Sequence, residues 1–481
     1  MSESFDAVVV GSGPNGLSAA VALAQGGASV LVLEAHEEIG GGMRTASLTL
    51  DGFSHDVCSA VHTTGILSPF FQSLPLEEYG LRWITPPASV AHPLDGEPAV
   101  MMWPSIERTA EGLGVDAAAY TRMVRPFVED PDTFFGDVLG PLGWPSDPLL
   151  FMRFGLSAMW PATWLASWKY RSERAQALFA GCAAHSILPL NRLFTAALGM
   201  IFAVAGHVEP WPIAAGGSSA IPRALSGILS SLGGSIRTGH TVTSLADLPP
   251  ARVYLFDTSP DQVASIAGPV LPDRYVRRLG RYRYGPGAFK LDWALDGPIP
   301  WRDPNCLEAS TVHLGGTLRE IATSEAEMFR GQHSERPYVL LCQQSQFDPT
   351  RAPQGKHTGY AYCHVPHGST VDMTDMIEAQ VERFAPGFRD LILARHVMRT
   401  DDFYRYNRNF VGGAITGGVA DLTQLFTRPV ARLNPYTTPN PRVYICSAST
   451  PPGGGVHGMC GFHAAQVALD RMERFEPTLL G

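Results

Sequence analysis

Two glycine clusters, one near each end of the chain, combine residue types and spacing that can do chemistry. The first is Gly11-Ser12-Gly13-Pro14-Asn15-Gly16, directly after the apolar run Phe5-Asp6-Ala7-Val8-Val9-Val10. In such a turn the first glycine permits the sharp exit from a strand. The second lets the backbone approach a pyrophosphate, and the third lets the next helix pack closely on the sheet. Phosphates would then sit at a helix N-terminus, where free N–H groups and the macrodipole favour negative charge. A helical run, 17–25, follows, then an apolar strand, 29–33, closed by Glu34 and Ala35. A carboxylate at that spacing binds the ribose hydroxyls of an adenine dinucleotide and repels a 2′-phosphate. The dinucleotide expected is therefore FAD or NAD, and not NADP.

The second cluster, Gly453-Gly454-Gly455-Val456-His457-Gly458, has the same spacing, after a strand and before a helix. Here Ser449-Thr450-Pro451-Pro452 separates strand from glycines, and no further strand follows to supply an acidic ribose partner. This element is read as a helix N-terminus aimed at the far end of the same cofactor, with Ser447 at its approach and Gly458 and Met459 at its start. Its dipole would favour negative charge that develops there on reduction. His457, a type whose unperturbed pKa lies near ~6.5, is the candidate to relay the proton left behind when a hydride departs.

The elements that must position these groups do not run consecutively. The alternating strand–helix rhythm stops near residue 86 and gives way to a long helical, aromatic-rich stretch. It resumes at Trp211-Pro212-Ile213, with a helix over 220–232 and a buried strand over 251–257. A second insertion rich in alternating strands spans about 286–400, and the last nucleotide-domain pieces are the strand 442–447 and a helix over 459–473. The fold expected is α/β, a discontinuous Rossmann-type FAD-binding domain of the glutathione-reductase kind, with an inserted mixed α+β substrate or cap domain. Its segments are 1–85, 209–285 and 401–481 for the nucleotide, and 86–208 and 286–400 for the cap.

Composition narrows the class. The chain has 481 residues, 45% hydrophobic and only 17% charged, against about a quarter charged in a typical domain. That is the balance of a large, well-buried enzyme. A net charge of −9 without a basic tract argues against a nucleic-acid partner. Seven scattered cysteines without a C-x-x-C pair point to neither a disulfide framework nor a zinc site. Cys363-His364-Val365-Pro366-His367 lacks a nearby second ligand pair, so no metal is expected. Three charge-free stretches, 154–168, 175–190 and 193–208, fall short of the ~20 residues of a membrane span. They read as buried cap helices, with an apolar tunnel or a dip into one bilayer leaflet as the sharper alternative; Trp144, Trp160, Trp164 and Trp168 suit either. The expected address is cytoplasmic, with peripheral membrane contact left open.

The N-terminal clamp, an expected strand over 238–242, the Asp257-Thr258-Ser259-Pro260 turn and Pro451-Pro452-Gly453-Gly454-Gly455-Val456-His457-Gly458-Met459 together resemble the phytoene desaturase-like FAD-dependent oxidoreductases, relatives of the flavin amine oxidases. The resemblance covers essentially the whole chain and is most specific at its ends. It implies FAD, with its adenosine on Glu34, its adenine near Val242, Thr258 and Ser259 beside it, and its ring between 58–62 (Val61 and His62 included) and 456–459. Family members often carry Gly-Gly-Arg after the acidic residue. Here Gly40-Gly41-Gly42-Met43-Arg44 puts Gly42 in the arginine's place and Arg44 two residues later. The segment 287–295 looks like the amine-oxidase strand whose lysine holds a water at the flavin, which would make that residue Lys290.

The leading reading is an FAD-dependent dehydrogenase or desaturase acting on a largely apolar small molecule. One alternative is an oxidase reoxidised by dioxygen; another is a redox-neutral isomerase or saturase of conjugated double bonds; a third is a catalytically idle flavoprotein kept for binding. The electron acceptor stays open between dioxygen and a quinone, and the sequence sets no oligomeric state.

Overall fold

A computed structural model of the chain describes residues 4–141 and 143–475. A five-stranded, all-parallel sheet organises the nucleotide end, in the order Val443–Ile445, Ala251–Phe256, Phe5–Val10, Val30–Leu33, Ser235–Arg237. Four of its strands are short, mostly apolar runs such as Val30–Leu33 and Val443–Ile445, which are buried on both faces as parallel sheets require, whereas the edge strand Ser235–Arg237 is largely exposed. The stretch 238–242, expected as a strand, is irregular: the strand on this edge is Ser235–Arg237, and the chain then turns through Gly239, at φ +64°. The first helix, Pro14–Gln25, begins at the glycine turn with Pro14 in its first turn, where a missing N–H costs nothing. It packs on the last helix, Met459–Phe475, so tightly that a Cβ on Gly461 would overlap the carbonyl oxygen of Asn15.

The two inserted stretches share a second, seven-stranded sheet. Its order is Ile392–Met398, Gly287–Leu295, His357–Val365, Val339–Cys342, Ala309–Leu314, Ala88–Leu94, Glu97–Met102. Every pairing is antiparallel except that of Ala309–Leu314 with Ala88–Leu94, which joins the later insertion to the earlier one. All nine residues of Gly287–Leu295 are buried. Phe289, Leu291 and Trp293 face the helix Thr374–Phe384 and pack with Ile377 and Val381. The period of two therefore sends Ala288, Lys290 and Asp292 to the opposite face.

The charge-free stretches divide. Helices Glu173–Ala184 and Thr195–Val208 are mostly buried and belong to the main core. Over 154–168, helices Pro148–Ala158 and Ala162–Lys169 leave Met152, Leu156, Trp164 and Trp168 exposed. Among the described residues, no helix is long and apolar enough to cross a membrane.

The close helix contact makes a two-sided test. Gly461→Val should cost at least ~2 kcal/mol by forcing apart backbones that cannot yield. Gly112→Ala, on an exposed helix position with open space around it, should gain up to ~1 kcal/mol. Denaturant unfolding of both variants checks the opposite signs.

Candidate active site

Beneath the first glycine turn lies a carboxylate from elsewhere in the chain. Asp257 follows the strand Ala251–Phe256, and its Oδ2 accepts a hydrogen bond from the Gly16 N–H at 2.9 Å. The three glycines leave it room: a Cβ on Gly11 would stand 3.0 Å from the Asp257 carbonyl oxygen, and one on Gly13 2.7 Å from Oδ2. A Cβ on Gly16 would overlap the Gly11 carbonyl oxygen. Gly11 also has φ +103°, a backbone state that glycine adopts without strain. Burial pushes the Asp257 carboxyl up to about 8, against the pull of the Gly16 and Gly13 amides. At neutral pH it is uncharged, which suits a neighbour of a pyrophosphate.

At the end of the second strand, Glu34 is nearly buried. It accepts from the Ser12 N–H at 2.9 Å and the His36 N–H at 2.9 Å, and pairs with Arg44 at 3.3 Å. Arg44 also donates to the Glu38 carbonyl at 2.9 Å and lies over the Tyr406 ring, whose hydroxyl donates to the Gly41 carbonyl at 2.7 Å. The guanidinium thus stands beside Glu34.

These groups line one cavity of about 790 Å³. Its lining includes Gly11, Gly13, Pro14 and Asn15 of the first glycine turn, Glu34, Ala35 and Val242, Gly41, Gly42 and Arg44, and Thr258 and Ser259. Ser447, Val456, Cys58, Val61 and His62 line the same cavity, as do Leu340 and two aromatic pairs, Phe202 with Trp211 and Tyr360 with Tyr362, ring centroids 5.3 and 6.1 Å apart. Burial pushes the Cys58 thiol up to about 12, so it is no nucleophile. Because the Ser218 hydroxyl donates to the Ser59 carbonyl at 2.7 Å, the His62 ring donates to Ser218 from Nε2, at 2.8 Å. This leaves His62 Nδ1 with an unpartnered lone pair. Burial lowers the His62 pKa to about 4, so the ring is neutral.

Both candidate catalytic side chains stand outside this cavity lining. Lys290 is fully buried, ion-paired with Asp292 two residues along the same strand face, and 4.3 Å from the centroid of the Tyr360 ring. The ring of Tyr360, a cavity wall, therefore lies against the ammonium. His55 and His396 approach the same Asp292 at 3.8 and 3.4 Å. His457 is 1% exposed; its Nδ1 accepts from the Met459 N–H at 3.0 Å, so the ring caps its own helix. Burial lowers its pKa to about 4, opposed by the Gly453 and Gly454 carbonyls. Gly16, Met43, Gly458 and Met459 are likewise packed behind the lining, Met43 and Met459 in the apolar core. No group of three or more metal-ligating side chains occurs among the described residues, and His364 is paired with Glu325 at 2.9 Å.

Sequence reading missed several lining groups. Asn409 accepts from the Ser259 N–H at 2.8 Å and donates to the Asp257 carbonyl at 3.0 Å, tying residues 404–410 to the cradle. These residues, with Tyr360, Tyr362 and His185, carry no local motif. Only the Asp257-Thr258-Ser259-Pro260 turn signalled the carboxylate under the glycines.

Comparison with known proteins agrees with this geometry. Residues 9–74 match the model of the NAD(P)-binding Rossmann-like domain. Across 97% of this chain and 93% of the other, it is 26% identical to the pyridine nucleotide-disulfide oxidoreductase domain-containing protein 2 of Rattus norvegicus. An oxidoreductase from Methanosarcina mazei superposes with a TM-score of 0.63 at 18% identity, covering 98% of this chain and all of that one. A putrescine oxidase bound to putrescine superposes with a TM-score of 0.62 at 16% identity, covering 98% and 99%. The chain thus carries an NAD(P)-binding Rossmann-like domain, is similar along nearly its whole length to a pyridine nucleotide-disulfide oxidoreductase domain-containing protein, and has the fold of the amine-oxidase-type oxidoreductases.

Proposed function

We propose that this chain is an FAD-dependent oxidoreductase that takes a hydride from a C–H or C–N bond of a small molecule with an apolar body. The observation that carries the reading is one cavity whose lining joins the glycine turn and Glu34 to the aromatic side chains of Phe202, Trp211, Tyr360 and Tyr362. The residues suit FAD on three counts. Glycines clear the phosphate approach, Asp257 is neutral beside it, and the second glycine element brings Gly454, Gly455 and Val456 to the same lining. When bound, FAD supplies a two-electron acceptor for hydride. The positive N-terminus of Pro14–Gln25 would hold its phosphates and Glu34 a ribose hydroxyl. Phe202, Trp211, Leu340, Tyr360 and Tyr362 exclude water from the substrate chamber and orient an apolar body there. The oxidase alternative draws on Lys290, which is paired with Asp292 and lies 4.3 Å from the centroid of the Tyr360 ring.

The purified protein should be yellow, and acid denaturation should release FAD, identified chromatographically. A folded protein that carries only NAD, or no dinucleotide, would sink the reading. Glu34→Gln should weaken FAD binding by about 1.5–3 kcal/mol in a titration of the apoprotein.

Asp257 sets a pH dependence. Its carboxyl is raised in the fold, so folded apoprotein binds more protons than the unfolded chain between the ordinary carboxylate range and about 8. Its contribution to stability therefore falls as pH climbs through that window. Above about 8 a carboxylate appears beside the phosphates, and FAD affinity should drop by up to ~10-fold per pH unit. Asp257→Asn should keep affinity flat from pH 7 to 9, because the amide oxygen still accepts from Gly16 without the charge.

Lys290→Met should act on the fold before it acts on chemistry. Stranding Asp292 in the interior should cost about 3–5 kcal/mol, and adding Asp292→Leu should return much of it. Reoxidation of the double variant by dioxygen at the wild-type rate, followed by stopped flow, is the expected outcome.

A further inference from the structure

Two helices of the first insertion are apolar on nearly all sides, yet the fold buries only part of each. On Pro148–Ala158, Phe154 and Ala158 face the main core, whereas Leu149, Met152 and Leu156 face outward. Their spacings of three and four residues make one stripe along the helix. Leu149 is 73% exposed and Leu156 63%. On Ala162–Lys169, Leu165 and Ala166 are buried, but Trp164 and Trp168 are 60% and 71% exposed. Trp160 stacks on Trp164 with ring centroids 5.0 Å apart, and the Lys169 ammonium lies 4.5 Å from the centroid of the Trp168 ring. A contiguous apolar surface of this kind marks a place where something else binds.

Charge decides what covers it. Between Asp147 and Glu173 the chain has no acidic residue and three basic ones, Arg153, Lys169 and Arg171, although its net charge is −9. The acids on the N-terminal side are engaged within the fold. Asp137 accepts from the Ser146 N–H and hydroxyl, each at 2.9 Å, and Asp147 caps the first helix by accepting from the Leu149 N–H at 2.8 Å. A second copy of the chain would cover the stripe poorly. A two-fold contact sets a patch against itself, and here it would oppose basic groups to basic groups. An anionic bilayer surface supplies what is missing: acyl chains for Leu and Met, a headgroup layer in which indoles sit, and phosphates for the basic side chains.

We propose that Pro148–Ala158 and Ala162–Lys169 dock in the plane of an anionic bilayer surface. Leu149, Met152 and Leu156 face the acyl chains, Trp164 and Trp168 sit at headgroup level, and Arg153, Lys169 and Arg171 meet lipid phosphates. Both helices are tied to Thr195–Val208: the Ala196 N–H donates to the Trp160 carbonyl at 3.3 Å, and the Ala162 N–H donates to the Thr195 hydroxyl at 2.9 Å. That third helix carries Phe202 of the cavity wall, so the docked face stands one helix from the cavity. The docking is a property of the surface and does not depend on the proposed reaction.

Vesicle flotation of the full-length protein tests it. Vesicles of phosphatidylcholine and phosphatidylglycerol in equal parts should carry the protein up the gradient, and vesicles of phosphatidylcholine alone should carry much less. Arg153→Gln combined with Lys169→Gln should weaken partition to the anionic vesicles by roughly tenfold or more. Leu156→Ser combined with Trp164→Ser and Trp168→Ser should remove it. All five side chains lie on the surface, so both variants should keep the wild-type circular dichroism and melting temperature. No flotation of wild type, equal flotation with neutral and anionic vesicles, or flotation that survives the triple substitution overturns the proposal. So does a wild-type dimer that stays unbound to vesicles and that the triple substitution splits in sedimentation, since the cover is then a second copy of the chain.

Discussion

Everything at the nucleotide end depends on one contact, the carboxyl of Asp257 gripping the Gly16 N–H under the first glycine turn. It ties the strand Ala251–Phe256 to the start of the first helix, although the two residues lie 241 positions apart. The glycines are needed less for flexibility than for thinness, since any Cβ at Gly13 or Gly16 would strike this carboxyl or the turn itself. Asn409 extends the grip by donating to the Asp257 carbonyl and bonding the Ser259 turn. The cradle is thus a meeting of three distant segments, preorganised before a ligand arrives.

The wall between that cradle and the second sheet is held by charge in places where charge is expensive. Asp56 and Arg351 are both buried and paired, and Asp56 also accepts from the Ser218 N–H at 2.8 Å and the Thr45 hydroxyl at 2.8 Å. Lys290 and Asp292 form the second such pair on the sheet. A buried pair of this kind adds little net stability over an apolar isostere, but losing one partner is severe. Each also fixes which strand face and which loop meet, so the aromatic chamber keeps its outline.

The chamber itself is unlike the rest of the cap. Around it, helices Glu173–Ala184 and Thr195–Val208 are made of small and apolar residues, yet His185, His313, His92 and the His364–Glu325 pair are gathered there. Polar groups placed in so apolar a setting demand partners.

How much of this was legible beforehand follows from the range of the interactions. The strand–turn–helix at the N-terminus, with Glu34 closing the next strand, was readable because every constraint there acts within a few residues: a positive φ, a close helix approach, a period of two. The interrupted α/β rhythm likewise showed in local pattern. The roles assigned to Lys290 and His457 were not so readable. Whether a strand lysine reaches a cavity or ends in an ion pair depends on Asp292 and on Tyr360 from another strand. Whether a histidine relays protons or caps a helix depends on the packing of the loop around it. The edge strand lies at Ser235–Arg237 and not over 238–242, as the resemblance implied, because pairing with the second strand stops at Arg237. Sequence alone determined the strand, glycine turn and helix of a Rossmann-like domain, since those needs are met by neighbours along the chain. Only the tertiary structure decided what faces the substrate, because long-range pairing and burial, which no local pattern records, choose among side chains of equal chemical promise.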